Sequence, residues 1–200
     1  ITAVMPYYAY GRTDKKDQPR VPITARLLAD LISAAGADRV LTMELHAAQI
    51  HGFFNIPVDE LTALTLLCQY FEEKALENLV VVATDIGISK RARDFAERLN
   101  APLAIFVNRR VAGEPETMNV IGDVRDKTAI TFDDEVDTAG SLTSAVNALV
   151  REGATTVYSC ATHGVLSGPA PDRILASSIR ELVLTDTVPV VPDKREGKLT

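Results

Sequence analysis

The feature that most constrains this chain is an alternation. Short runs of branched and apolar residues are each followed by a stretch in which apolar residues recur every three or four positions. A short apolar run needs cover on both faces, and helices of that period supply it, so the pattern implies an α/β protein with a mainly parallel sheet. Residues 1–5 read as a strand and residues 10–20, with Gly11 and Pro19, as a polar loop. Pro22 suits a first helical position. Ile23, Leu27, Leu28, Leu31 and Ile32 share one face, and Gly36 can close the helix in a left-handed conformation. Residues 39–45 then form a buried strand.

A second series begins near Leu61: a helix to about Glu77, a strand at 79–83, a helix at 89–99 and a strand at 102–107. The polar segment 108–117, with Gly113 and Pro115, reads as a mobile flap. Residues 118–121 and 128–132 are expected to form a hairpin around Gly122 and Asp123. An amphipathic helix at 141–151, a strand at 155–162, a helical or irregular stretch holding Ser177 and Ser178, and a strand at 181–185 complete the series. A domain boundary is expected near residues 57–62, giving domains of residues 1–60 and 61–200.

Composition narrows the function. The formal charge of -6 argues against broad nucleic-acid binding, which rests on a basic surface. Cys68 and Cys160 are far apart and belong to no Cys/His cluster, so neither a disulfide framework nor a zinc site is expected and a reducing cytoplasm fits. No apolar run reaches the roughly 18 residues of a membrane span, and no leader precedes the first strand. Ile1 already lies inside that strand, which raises the expectation of a preceding segment.

The chemistry concentrates in residues 133–141, Asp-Asp-Glu-Val-Asp-Thr-Ala-Gly-Ser, between an apolar strand and a helix. Open α/β sheets bind ligands at such a junction. Backbone N–H groups of Thr138, Ala139, Gly140 and Ser141 can point at a phosphate, aided by the helix N-terminus and by the two hydroxyls. Asp133, Asp134 and Asp137 can accept from sugar hydroxyls or hold hydrated Mg²⁺. A sugar phosphate fits better than bare phosphate; an acidic turn with a capped helix is the plainer alternative.

This loop resembles the phosphoribosyl-binding signature of type I phosphoribosyltransferases and, more closely, that of ribose-phosphate diphosphokinases. Residues 6–16, 44–54, 119–124 and 161–169 also resemble diphosphokinase signatures, in that family's order. The resemblance runs from about residue 4 to residue 190. It implies two phosphoribosyltransferase-like parallel-sheet domains, the first incomplete. It also implies transfer of the β,γ-diphosphoryl group of Mg-ATP to the 1-hydroxyl of ribose 5-phosphate.

By the same resemblance, Arg12 and Thr13 bind ATP, and His46 belongs to the ATP and metal site. Glu44 stands where the family has a Mg²⁺ aspartate, one methylene longer. Asp85 matches an aspartate near ribose 5-phosphate and metal, with Ile88 replacing a glycine that follows it; Lys90 and Arg91 read equally as phosphate contacts or as a solvated face. In the flap, Arg110 matches the catalytic arginine and Asn108 replaces the catalytic lysine, leaving Arg109 as a possible substitute. His163 and Ser167 are read as shaping the subunit or regulatory-site region, and Lys15-Lys16 as an anion-regulation or solvated pair. The family further implies a dimer-based hexamer with phosphate and ADP regulation. Three readings stand at this point: an active diphosphokinase, a catalytically weak regulatory subunit of the same family, and a phosphoribosyltransferase.

Overall fold

The computed structural model describes residues 1–109, 117–190 and 197–200. The chain divides into two compact units, Ile1–Ala63 and Leu64–Thr200.

The first unit is a parallel sheet of β1 (Thr2–Met5), β2 (Arg39–Met43) and β3 (Val58–Leu61), in that order. Helix α1 (Thr24–Ala34) connects β1 to β2, and a 3-10 helix occupies Ala48–Phe53. Gly36 closes α1 at φ +97°, with Ala37 N–H donating to Ile32 O, the left-handed ending expected of it. Tyr8, Ala25, Ala29, Val40, Leu45, Ile50 and Phe54 form the core. Its centre is the Tyr8 ring, edge-on to Phe54 at 5.6 Å, with its hydroxyl donating to Ala25 O at 2.7 Å.

The second unit is a six-stranded sheet. In chain order it holds α2 (Leu64–Glu73), β4 (Leu79–Ala83), α3 (Ser89–Arg98), β5 (Leu103–Arg109), β6 (Thr117–Ile121), β7 (Thr128–Val136), α4 (Gly140–Arg151), β8 (Thr156–Gly164), α5 (Ala170–Ala176) and β9 (Ile179–Leu184). The spatial order is β6-β5-β4-β7-β8-β9, and among the described strands β6 alone runs antiparallel to its neighbour. Alternate side chains feed two layers, as the period of a strand requires. Val80, Val82, Phe106 and Ala129 join a core with Leu142, Ala145, Val146 and Leu149, the inward stripe of α4. Phe132, of the other parity, stacks on Phe95 of α3 at 4.9 Å, and Phe95 meets Phe71 of α2 edge-on. The expected α/β class with parallel sheets holds.

Three local readings change. Residues 118–121 and 128–132 do not form a hairpin: β6 pairs with β5, Phe106 opposite Val120, while β7 lies parallel between β4 and β8. Gly122, at φ +121°, serves a close approach, since a Cβ there would stand 2.8 Å from Ala104 Cβ. Residues 58–61 form a strand ahead of the helix, which spans Leu64–Glu73 and so is shorter than expected, with left-handed Ala75 following it. Ser177 is the C-cap of α5, and β9 starts two residues earlier than the sequence pattern suggests.

Candidate functional site

Strand order reverses between β4 and β7. From β4 the chain moves to β5 and β6 on one side, then returns to place β7 on the other. Open α/β sheets leave a crevice at the carboxyl ends of the two strands where this happens. Residues 84–88 and 133–141 flank it.

Asp133, one residue beyond the Ala83–Phe132 pair, accepts a hydrogen bond from Thr84 Oγ1 at 2.6 Å. Burial, and then the charge of adjacent Asp134, push its carboxyl well above the usual carboxylate range. Asp134 is itself buried. Asp137 is held from another element, because Ser167 Oγ donates to its Oδ1.

Beyond Asp137 the backbone turns through Ala139, which is left-handed at φ +58°, into α4. All peptide bonds here are trans. In a trans peptide the N–H points opposite to the preceding C=O, so whatever holds a carbonyl also aims the next amide. Three consecutive carbonyls are held. Asp137 O accepts from Ser167 N–H at 3.1 Å, Thr138 O from Arg173 Nη1 at 2.9 Å, and Ala139 O from Thr143 N–H at 3.0 Å and Thr143 Oγ1 at 2.9 Å. The N–H groups of Thr138, Ala139 and Gly140 are thereby fixed in direction. Among the described residues no protein acceptor receives them or the N–H of Ser141. Preset amides at a helix N-terminus make an anion cradle.

On the other flank, exposed Asp85 accepts the Ile88 N–H through Oδ1 at 3.0 Å. Gly87 leaves room for that carboxylate: a Cβ would meet Asp85 Oδ1 at 3.0 Å. Ile88, where the sequence resemblance leads one to expect a glycine, is buried with φ −84°. That backbone suits any residue, so the replacement leaves the turn intact. Lys90 is exposed and Arg91 half-buried at the start of α3.

In the first unit, Arg12 and Thr13 sit on a tight loop after β1. Thr13 N–H and Oγ1 both donate to Tyr10 O, and Tyr10 is left-handed at φ +65°. Gly11 faces His46, since a Cβ on it would be 3.5 Å from His46 Cβ. This places the Arg12 loop beside exposed His46. Gln49 Nε2 donates to buried Asp14 and ties the loop to the 3-10 helix. Glu44 is buried and left-handed at φ +43°, at the end of β2. Lys15 and Lys16 are exposed.

The expected site residues therefore fall into two sets: Arg12, Thr13, Glu44 and His46 in the first unit, and Asp85 with residues 133–141 in the second. Arg110 lies outside the described residues. Asn108 and Arg109 enter as the backbone end of β5, opposite Met118 and Thr117, so the strand pair extends two residues into the segment expected to be a flap. Burial pushes the Cys68 thiol up to about 11 and raises that of Cys160 further from reactivity, so neither is a thiolate nucleophile at neutral pH. Buried His163 hydrogen-bonds Thr187 Oγ1 at 2.8 Å. Three residues that hold the cradle were not read as such in the sequence: Thr84, Arg173 and Ser167, the last assigned there to a regulatory region. Their partners lie 49, 35 and 30 residues away. Their sequence signals are that Ser167 falls in a segment resembling the diphosphokinases and that Thr84 directly precedes Asp85, which was read by the same resemblance.

Comparison with known proteins bears on the family and the fold. Residues 104–198 match the phosphoribosyl synthetase-associated domain, and residues 1–36 match the N-terminal domain of ribose phosphate pyrophosphokinase. A ribose-phosphate pyrophosphokinase of Caldanaerobacter subterraneus subsp. tengcongensis is 56% identical over 100% of this chain and 64% of its own length. That of Clostridium perfringens is 58% identical over 94% of this chain and 60% of its own. The phosphoribosylpyrophosphate synthetase of Mycobacterium smegmatis superposes with a TM-score of 0.94 at 46% identity, covering 100% of this chain and 66% of that one. The chain thus spans less than two thirds of the length of the curated relatives it matches. Identity at this level, together with a shared fold, means that these 200 residues belong to the ribose-phosphate pyrophosphokinase family.

Proposed function

We propose that this chain carries the ribose-phosphate site and part of the nucleotide site of an enzyme that transfers the β,γ-diphosphoryl group of Mg-ATP to the 1-hydroxyl of ribose 5-phosphate. The observation that carries the proposal is the set of fixed amides at residues 138–141, beside carboxylates at a sheet switch point. The amides hold the 5-phosphate, with the Thr138 and Ser141 hydroxyls as further donors. Asp134 and Asp137 accept from the ribose hydroxyls, and Asp133 supports them from within the strand.

The 1-hydroxyl oxygen bonds to the β-phosphorus as the bond from that phosphorus to the α,β-bridging oxygen breaks. AMP leaves with the bridging oxygen, and the hydroxyl proton is released. Such a reaction needs alignment and charge neutralisation more than a covalent nucleophile. Arg12, Thr13 and His46 hold the ATP phosphates, and Arg109 and Arg110 supply cations to the transferring group. Mg²⁺ neutralises phosphate charge when bound, and it requires only one or two carboxylates beside substrate phosphates. The donors present are of that kind: Asp85 is an exposed carboxylate just past β4, and Glu44 is a carboxylate just past β2. Asp85 in the second unit and, separately, His46 and Glu44 in the first are the residues that would hold Mg²⁺ or its waters. The family resemblance supports a cytoplasmic setting, a dimer-based hexamer, and phosphate and ADP as regulators.

The test is an assay of full-length protein with ribose 5-phosphate and Mg-ATP, measuring AMP and phosphoribosyl diphosphate. Equimolar products are expected. Asn108, standing in place of the family's flap lysine, favours a second reading as a weakly catalytic regulatory subunit. Intact ATP binding without AMP above background would reject the first reading and support the second.

A further inference from the structure

We infer that Arg173 is a positioning residue for the sugar-phosphate cradle, acting through the Thr138–Ala139 peptide. The inference rests on the reading of residues 138–141 as a phosphate site. Of the three carbonyls that set the cradle amides, Asp137 O is held by a backbone N–H and Ala139 O by a residue of the same helix turn. Thr138 O is held by a long side chain from a different element, α5. This bond aims the Ala139 N–H, the amide of the left-handed residue, whose strained conformation persists only where its surroundings hold it.

Two further observations support the assignment. First, α5 is a firm base: Ala170 and Ile174 are fully buried, and the Ala170 N–H donates to Ser167 O at 3.2 Å. Second, Gly140 leaves space for the guanidinium. Its φ lies outside the left-handed region, so glycine is not required by the backbone, yet a Cβ would stand 3.3 Å from Arg173 Nη1. A planar, permanently charged fork can hold a carbonyl and still leave donors and positive charge beside a bound phosphate.

The test uses full-length protein with Arg173→Met, Arg173→Lys and Ser141→Asp. KM for ribose 5-phosphate, KM for ATP, kcat and thermal midpoint are measured for each. Ser141→Asp places a carboxylate in the cradle at a helix position that tolerates it. Arg173→Met should raise KM for ribose 5-phosphate on the order of tenfold, the scale of one charged hydrogen bond. KM for ATP and kcat should stay within about twofold, as expected for loss of binding common to ground and transition states. Arg173→Lys keeps one charged donor but not the fork, so its KM for ribose 5-phosphate should lie between those of wild type and Arg173→Met, about two- to threefold above wild type, with KM for ATP unchanged. It also supplies the readout if the methionine variant melts early: at a wild-type thermal midpoint that selective rise supports the inference, and an unchanged KM overturns it. An unchanged KM for ribose 5-phosphate in Arg173→Met, with a raised KM in Ser141→Asp, overturns the role of Arg173 while the cradle stands. If neither variant raises it, the cradle reading falls and the inference with it.

Discussion

Thr84 Oγ1 donates to Asp133 Oδ2 at 2.6 Å, joining the ends of the two strands between which the sheet changes direction. The contact places a carboxyl where burial and a second carboxyl at Asp134 both oppose its charge.

Asp133 gives a pH prediction. A carboxyl raised by folding keeps a proton that the unfolded chain has released, so stability falls as pH rises from about 4 toward the folded value. Asp133→Asn keeps the shape and an acceptor for Thr84 without the ionisation. It should melt higher than the parent at pH 7.5, by about 2–4 °C for each kcal/mol relieved. The gap should close toward pH 4 in melting curves across pH 4–8. A gap independent of pH would show that ionisation is not its cause.

Gly122→Ala tests the corrected pairing of β5 and β6. The new Cβ would meet Ala104 Cβ at 2.8 Å and Ala104 Cα at 2.9 Å from a φ of +121°. Overpacking against backbone and left-handed strain should together cost about 2–4 kcal/mol, measurable by urea unfolding. In the hairpin suggested by the sequence, this glycine would sit at a turn and the change would cost about 1 kcal/mol.

That difference shows which parts of the fold the sequence could disclose. Helix α4 and strand β4 were legible because their signals are local: a stripe at Leu142, Ala145, Val146 and Leu149, and a run of valines. Strand β3 was not, since Val58-Asp59-Glu60-Leu61 carries two charges and becomes a strand by pairing with β2. The false hairpin has the same origin, a true turn signal at Gly122 and Asp123 but a partner chosen by distance in sequence rather than in space. Within the site, residue types at 133–141 were enough to suggest a sugar-phosphate ligand, because backbone amides and acids act locally. The bonds that aim those amides come from Ser167 and Arg173, and no local pattern encodes them.

Tyr8 links the Arg12 loop to α1 through its bond to Ala25 O. Burial, and then the charge of Asp30, push the phenol up to about 12. Between pH 10 and 12 the unfolded chain loses this proton and the folded chain keeps it, so stability declines across that window. Tyr8→Phe should cost about 1 kcal/mol at pH 7 through the lost hydrogen bond. Urea titrations at pH 7 and 10.5 should find the cost shrinking at the higher pH.

The last prediction concerns the side of the reaction that the cradle does not serve. Asn108 is the last residue but one of β5, which ends at Arg109, and Arg110 follows in sequence; by the family resemblance, Asn108 stands where a cation is expected. An amide can donate to a phosphate oxygen but cannot neutralise charge that grows during transfer, and such contacts are commonly worth factors of about 10² in rate. Asn108→Lys in the full-length protein should therefore raise kcat by about tenfold or more and leave KM for ribose 5-phosphate within about twofold, because the cradle is on other strands. Steady-state AMP release measures both. A rate that stays level or falls would place the working cation at Arg109 or Arg110 and make Asn108 a substitution to which the site is already adapted.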